Sequence, residues 1–194
     1  MRSRGVHHIE LTVPNYDSAI EFYDRLFGWL GYKSFWTLDI EYRSTYYVAG
    51  RLPHFPHSYI GIQPATANTD RRLDGKRYEP GLNHLALSAR SKREVRRFHT
   101  EFLVPSGVKV IDPPAAYPHY APGYYAVFFR DPPLGAVWEL AFMPLVPSPR
   151  DLLRTWQAWK RIQREHRKEN PENPELRFKD ALRKIPGKYF RAEG

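Results

Sequence analysis

His8 and His84 each open an alternation of apolar and polar residues, HIELTV and HLALSA, and they stand 76 positions apart. Gln63 and Glu139 are separated by the same 76 positions, each a lone polar group within an apolar run, YIGIQ and VWELAF. Two imidazoles, a carboxylate and an amide oxygen are donor types that hold a divalent cation. Two His with one carboxylate suit Fe(II) or Mn(II) with coordination positions left open, and the same set holds Zn(II) or Ni(II). One strand histidine alone is more often structural than a ligand; it is the matched set that makes a candidate site.

The offset extends beyond these donors. Phe22 falls on Phe98, Leu26-Phe27 on Phe102-Leu103, and Gly31 on Gly107, with no gap. This is the mark of an internal duplication, with repeats near residues 6–65 and 82–143. Each repeat opens with a strand whose apolar residues (Ile9, Leu11 and Val13; Leu85 and Leu87) alternate with polar or small ones. A helix follows. Asn15 is a good N-cap for the first, with Ala19, Phe22, Tyr23, Leu26 and Phe27 at helical spacing and Leu30-Gly31 at its end. The second starts from the capping box of Ser91 and Glu94, buries Val95, Phe98 and Phe102, and stops at Pro105-Ser106-Gly107. Three strands are then expected per half: KSFWTLDI, STYYVAG and YIGIQ, then VKVID, YYAVFF and AVWELAF.

The expected fold is therefore α+β: two βαβββ modules forming a curved mixed sheet, with a helical extension after them. Residues 5–143 make up the duplicated domain, 66–81 a polar Gly/Pro-containing connector, and 148–194 a basic extension. If each helix covers the apolar face of its own strands, the other face is free to carry His8, Gln63, His84 and Glu139.

Composition bounds the function. The chain has 194 residues, 42% hydrophobic and 26% charged, so it reads as soluble and globular and can bury a core without staples. It has no cysteine, which excludes disulfides, thiolate metal sites and a cysteine nucleophile, and fits a cytoplasmic location. No apolar run approaches the length of a signal peptide or membrane span. The net charge of +9 is concentrated in the tail: residues 150–194 carry 13 Lys/Arg against 7 Asp/Glu, and residues 1–149 carry 17 against 14.

The stretches HHIELTVPNYDSAIEFYDRLFGWLGY, GLNHLALSARSKREV and GYYAVFFRDPPLGAVWELAF resemble the vicinal oxygen chelate superfamily, the group of glyoxalases, fosfomycin-resistance proteins and extradiol dioxygenases. The resemblance spans roughly residues 5–143. It implies the glyoxalase/bleomycin-resistance/dioxygenase fold and a divalent metal at four positions, which here are His8, Gln63, His84 and Glu139. It also implies a small-molecule substrate whose adjacent oxygens replace water on the metal, which then stabilises developing negative charge. In the glyoxalase-like version, a lyase or isomerase, Glu139 moves a proton next to a carbonyl. In the dioxygenase version, Fe(II) serves both a diol and O₂. The alternative is a metal-free binding or resistance protein of the same fold, consistent with 13 Tyr, 11 Phe and 5 Trp. One departure from the family pattern stands at Asp131–Gly135, where DPPLG replaces the common DPDG and lengthens the turn by one residue.

Other residues keep two readings. Glu10 shares a strand face with His8 and is either a partner of the site or a solvated rim carboxylate. Tyr117, His119, Tyr120, Tyr124 and Tyr125 cluster around the DPPAAYPHYAPG loop, as pocket lining or as an aromatic surface loop. Trp36 and Tyr47 line the cleft or pack in the core. His7 points away from His8. The extension starts with Ser148 as N-cap and Pro149 in the first turn; Leu152, Leu153, Trp156, Trp159 and Ile162 form a stripe to pack against the domain or a second copy. Its interspersed acids argue against nucleic-acid binding. The two halves either close within one chain or complete each other across a homodimer.

Overall fold

The computed structural model of the chain describes residues 7–39, 43–49, 59–65, 82–169 and 171–172. The expected connector at 66–81 and the extension from residue 173 onward lie outside these residues. The first module runs β1(His8–Val13), α1(Tyr16–Trp29), β2(Lys33–Asp39), β3(Arg43–Val48) and β4(Tyr59–Pro64). The second runs β5(Leu85–Ser88), α2(Lys92–Phe98), a π-helical turn His99–Leu103, β6(Lys109–Ala116), β7(Tyr125–Arg130) and β8(Val137–Phe142), and α3(Pro149–Glu169) follows.

Local chemistry explains the helix ends. Asn15 is extended and its side chain accepts from the Ser18 amide at 3.2 Å. Ser91 does the same for Glu94 at 3.1 Å, while the Glu94 carboxylate reaches back to the Arg90 amide at 2.5 Å. Both helical segments end at a glycine in the left-handed region, Gly31 at φ +82 and Gly107 at φ +63, where a side chain would be strained. Ser91→Ala should cost about 1 kcal/mol, read as a lower denaturation midpoint with an unchanged slope.

Each module is a four-stranded sheet, ordered β1-β4-β3-β2 and β5-β8-β7-β6. The first and last strands of each module pair in parallel, and the helix carries the chain from the first strand to the edge strand at the far side of the sheet; the other pairs are antiparallel. β6 runs on past the expected VKVID through Pro113 and Pro114 to Ala116. It is an edge strand with register irregularities around Asp112, so prolines without an N–H are tolerated there.

The two sheets and two helices share one core. Leu11, Val13, Ile60 and Ile62 from the first sheet join Leu85, Val127, Phe129, Trp138 and Leu140 from the second. Ring contacts between the modules are Phe22 with Phe102 at 6.4 Å, Trp29 with Phe98 at 5.0 Å and Tyr23 with Trp138 at 6.2 Å. Tyr47 belongs to this core, 2% exposed, and its hydroxyl donates to Asp24 at 2.7 Å. The side chain of Trp36 lies outside the described set.

The DPPLG turn wraps a buried carboxylate. Asp131 is 1% exposed and accepts from the Tyr23 hydroxyl (2.5 Å), Trp138 Nε1 (2.8 Å) and the amides of Leu134 (3.2 Å) and Ala136 (2.9 Å). The longer turn thus supplies backbone donors to an acid that ties α1 to β8.

The chain forms two compact units, one holding both sheets with α1 and α2, the other holding α3 with the Tyr117–Gly123 turn. In the second unit the Ser148 hydroxyl donates to Asp151 at 2.7 Å and accepts its amide at 3.2 Å. No residue of α3 is buried; Leu152, Leu153 and Trp156 are each about half exposed, and the Lys160 ammonium lies 3.8 Å from the Trp156 ring centroid. No helix among the described residues is long and apolar enough to cross a membrane.

Candidate metal centre

Strand parity divides each sheet into an apolar face, turned to the core, and a polar face. On β8, Trp138 and Leu140 are buried in the core and Glu139 points the other way; on β7, Phe128 is opposite Glu139 in register and shares its face. Ala86 is opposite Glu139 on β5, and His84 stands two residues earlier. This diagonal brings His84 Nε2 to 3.3 Å from Glu139 Oε2.

The details of that pair fit a cation. His84 Nδ1 lies 2.7 Å from Asn83 Oδ1, so Nδ1–H donates to the amide oxygen and Nε2 is the ring atom turned to Glu139. Glu139 is 3% exposed and its Oε1 accepts from the Tyr124 hydroxyl at 2.8 Å. Nε2 and a carboxylate oxygen thus face each other across 3.3 Å, close enough to share a proton or to bind one metal ion together. That separation is what two donors roughly 2.1 Å from one metal would show. The Phe128 ring meets the His84 ring edge-on at 6.0 Å and limits its rotation.

In the first module, His8, Glu10 and Thr12 lie exposed on the polar face of β1. His7 does not diverge from His8 as strand alternation suggested: His8 Nδ1 is 2.9 Å from His7 Nδ1, so one ring donates to the other. Glu10 accepts a short hydrogen bond from the Tyr46 hydroxyl of β3. Gln63 shares the polar face but lies opposite Thr12, and its Nε2 donates to Thr12 Oγ1 at 2.8 Å. The residue opposite Glu10 is Gly61.

Of the loop residues, Tyr124 joins Glu139. Tyr125 stands on the opposite face of β7, where its hydroxyl donates to the Pro114 carbonyl at 3.1 Å and Arg96 lies 5.7 Å from its ring centroid. His119 and Tyr120 belong to the second unit; Tyr120 stacks on Tyr117 at 5.4 Å and meets His119 at 4.2 Å. Sequence reasoning missed Asn83, Tyr46 and Phe128. Asn83 could have been found from its place directly before His84. Tyr46 and Phe128 required the register.

Among the described residues no three His, Asp or Glu side chains converge on a common point. Both sheets turn their apolar faces to the shared core, and the His and carboxylate groups sit on the other faces of two separate sheets. One protomer carries His84 with Glu139 on one sheet and His8 with Glu10 on the other.

Duplicated βαβββ modules with a His–carboxylate pair on the polar face define a paired-module α+β class of protein. Residues 5–140 match the sequence model of the Glyoxalase/Bleomycin resistance protein/Dioxygenase superfamily, and the chain belongs to that superfamily. It is 29% identical over 133 residues to the uncharacterized protein YqjT of Bacillus subtilis (strain 168), covering 66% of this chain and 91% of YqjT. A crystal structure described as a candidate glyoxalase from Bacillus halodurans superposes with a TM-score of 0.54 at 27% identity, over 71% of this chain and 95% of that one. The fosfomycin resistance protein FosX from Listeria monocytogenes, solved with Mn(II) and sulfate, shares the fold with a TM-score of 0.50 at 17% identity, over 74% of this chain and 96% of that one.

Proposed function

We propose that the protein is a divalent-metal-dependent enzyme acting on a small molecule that presents two adjacent oxygens, and that a homodimer builds its site. The observation that carries this reading is the His84–Glu139 pair, an imidazole Nε2 and a buried carboxylate oxygen held face to face at 3.3 Å. His84 and Glu139 of one protomer would hold the ion together with His8 of a second copy, with Gln63 and Glu10 as candidates for the remaining place. A divalent ion in such a site supplies stabilisation for negative charge on the substrate oxygens.

The chain's own residues do the rest. Asn83 keeps the His84 ring in one tautomer. Tyr124 holds Glu139 Oε1 and limits the carboxylate's swing. Burial of Glu139 removes water from beside it, which suits a carboxylate that takes a proton from a carbon next to a carbonyl. That role would suit a glyoxalase-like lyase or isomerase. FosX, which shares the fold, was solved with Mn(II), and this supports the metal reading.

The two-copy site has a direct test. His8→Ala damages one half-site and His84→Ala the other, so each homodimer is defective in both of its sites. Mixed and allowed to exchange, the two variants should regain roughly a quarter of wild-type metal content, because about half the dimers are mixed and each holds one intact site. No recovery in a sample shown by mass spectrometry to contain mixed dimers would contradict the proposal. Ligand binding that survives exhaustive chelation would favour the metal-free binding protein instead.

A further inference from the structure

The two modules pair their outer strands in different registers. In the first, residue n of β1 lies opposite n + 51 of β4, so Glu10 faces Gly61 and Thr12 faces Gln63. In the second, residue n of β5 lies opposite n + 53 of β8, so Ala86 faces Glu139. Counted from the paired histidines, the position matching Glu139 is therefore Gly61. Gln63 lies two residues further along, roughly 7 Å away.

At that matching position the acid has changed strands. The second module has Ala86 opposite Glu139, and the first has Glu10 opposite Gly61. A Cβ built on Gly61 would sit 3.1 Å from Glu10 Cγ and 2.9 Å from Tyr46 Cε1, so the Glu10 side chain and the Tyr46 ring already fill the space of a residue-61 side chain. The parallel extends to the support: the Tyr124 hydroxyl donates to Glu139, and the Tyr46 hydroxyl donates to Glu10.

We infer that Glu10, reaching over Gly61 and braced by Tyr46, is the first module's carboxylate ligand, and that Gln63 is a neighbour outside the coordination sphere. The donor set is then His8, Glu10, His84 and Glu139, two imidazoles and two carboxylates, which favours Mn(II) or Fe(II) over softer ions. The inference rests on the metal reading above and is separable from it.

Mn(II) titration of the full chain, followed by the loss of the free-ion EPR signal, tests it without an assay of turnover. Glu10→Gln should weaken Mn(II) binding at least about tenfold and Tyr46→Phe by a smaller factor, while Gln63→Ala stays within about twofold of wild type. Thermal melts of the metal-free variants, unchanged from wild type, separate lost coordination from lost folding. A Gln63→Ala loss with Glu10→Gln unaffected would overturn the assignment while leaving the metal site standing. Equal Mn(II) binding by wild type and His84→Ala, or none by either, would overturn both.

Discussion

Glu139→Gln and His84→Ala should each weaken divalent-metal binding by about 100-fold or more, without lowering the melting temperature of the metal-free protein. The separation of effects follows from the geometry. Glu139 is 3% exposed, and its neighbours are His84 at 3.3 Å and the Tyr124 hydroxyl at 2.8 Å. A carboxylate that is 3% exposed is costly to desolvate, so making it a neutral amide spares the metal-free state that cost. Loss of metal should therefore come without loss of fold: the metal-free Glu139→Gln protein melts close to wild type, and any stabilisation by added metal disappears. Metal analysis with paired melts in and out of chelator checks this. A variant that keeps its metal, or that melts far below wild type in chelator, would assign Glu139 a structural role.

The second large effect is purely structural. Asp131→Ala should destabilise the fold by about 3–5 kcal/mol, because it leaves the Tyr23 hydroxyl, the Trp138 indole and two backbone amides without their acceptor. For a chain of this size that lowers the melting temperature by roughly 6–20 °C. Alkaline titration offers an independent reading. Burial first, then the Asp131 charge and its hydrogen bond, hold the Tyr23 hydroxyl well above the usual tyrosine range. Burial and Asp24 push Tyr47 up as well. In the unfolded chain both ionise near pH 10. Stability is then fully present below that pH and falls as the pH rises beyond it, since only the unfolded state releases the protons. Tyr23→Phe should make that alkaline decline shallower. Chemical denaturation between pH 8 and 11 measures the slope, and an unchanged slope in Tyr23→Phe would show that Tyr23 does not contribute.

What the sequence disclosed and what it withheld divide along physical lines. Helix ends were legible because capping is local: Asn15, Ser91 with Glu94, and Ser148 all act where their types and spacing predict. The duplication was legible because Phe22, Phe98 and their neighbours serve the same core. Pairing register was not. A shift of two residues leaves every side chain on its original face, so the alternation in YIGIQP reads equally well whether Gln63 or Gly61 matches Glu139. Tyr124 and Tyr125 looked alike in the loop, yet one residue of parity sends the first to Glu139 and the second to Pro114. Asp131 read as a turn variation; that it is a buried acceptor for Trp138, seven residues on, is a tertiary fact.

The central claim is that polar faces of two copies meet around one cation. Anomalous diffraction from a crystal of the full chain grown with Mn(II) tests it most directly. The account predicts a peak within roughly 2.3 Å of His84 Nε2 and a Glu139 oxygen, with His8 of a second copy completing the sphere. A peak bound by residues of a single module alone, or no peak at the His84–Glu139 pair, would contradict it.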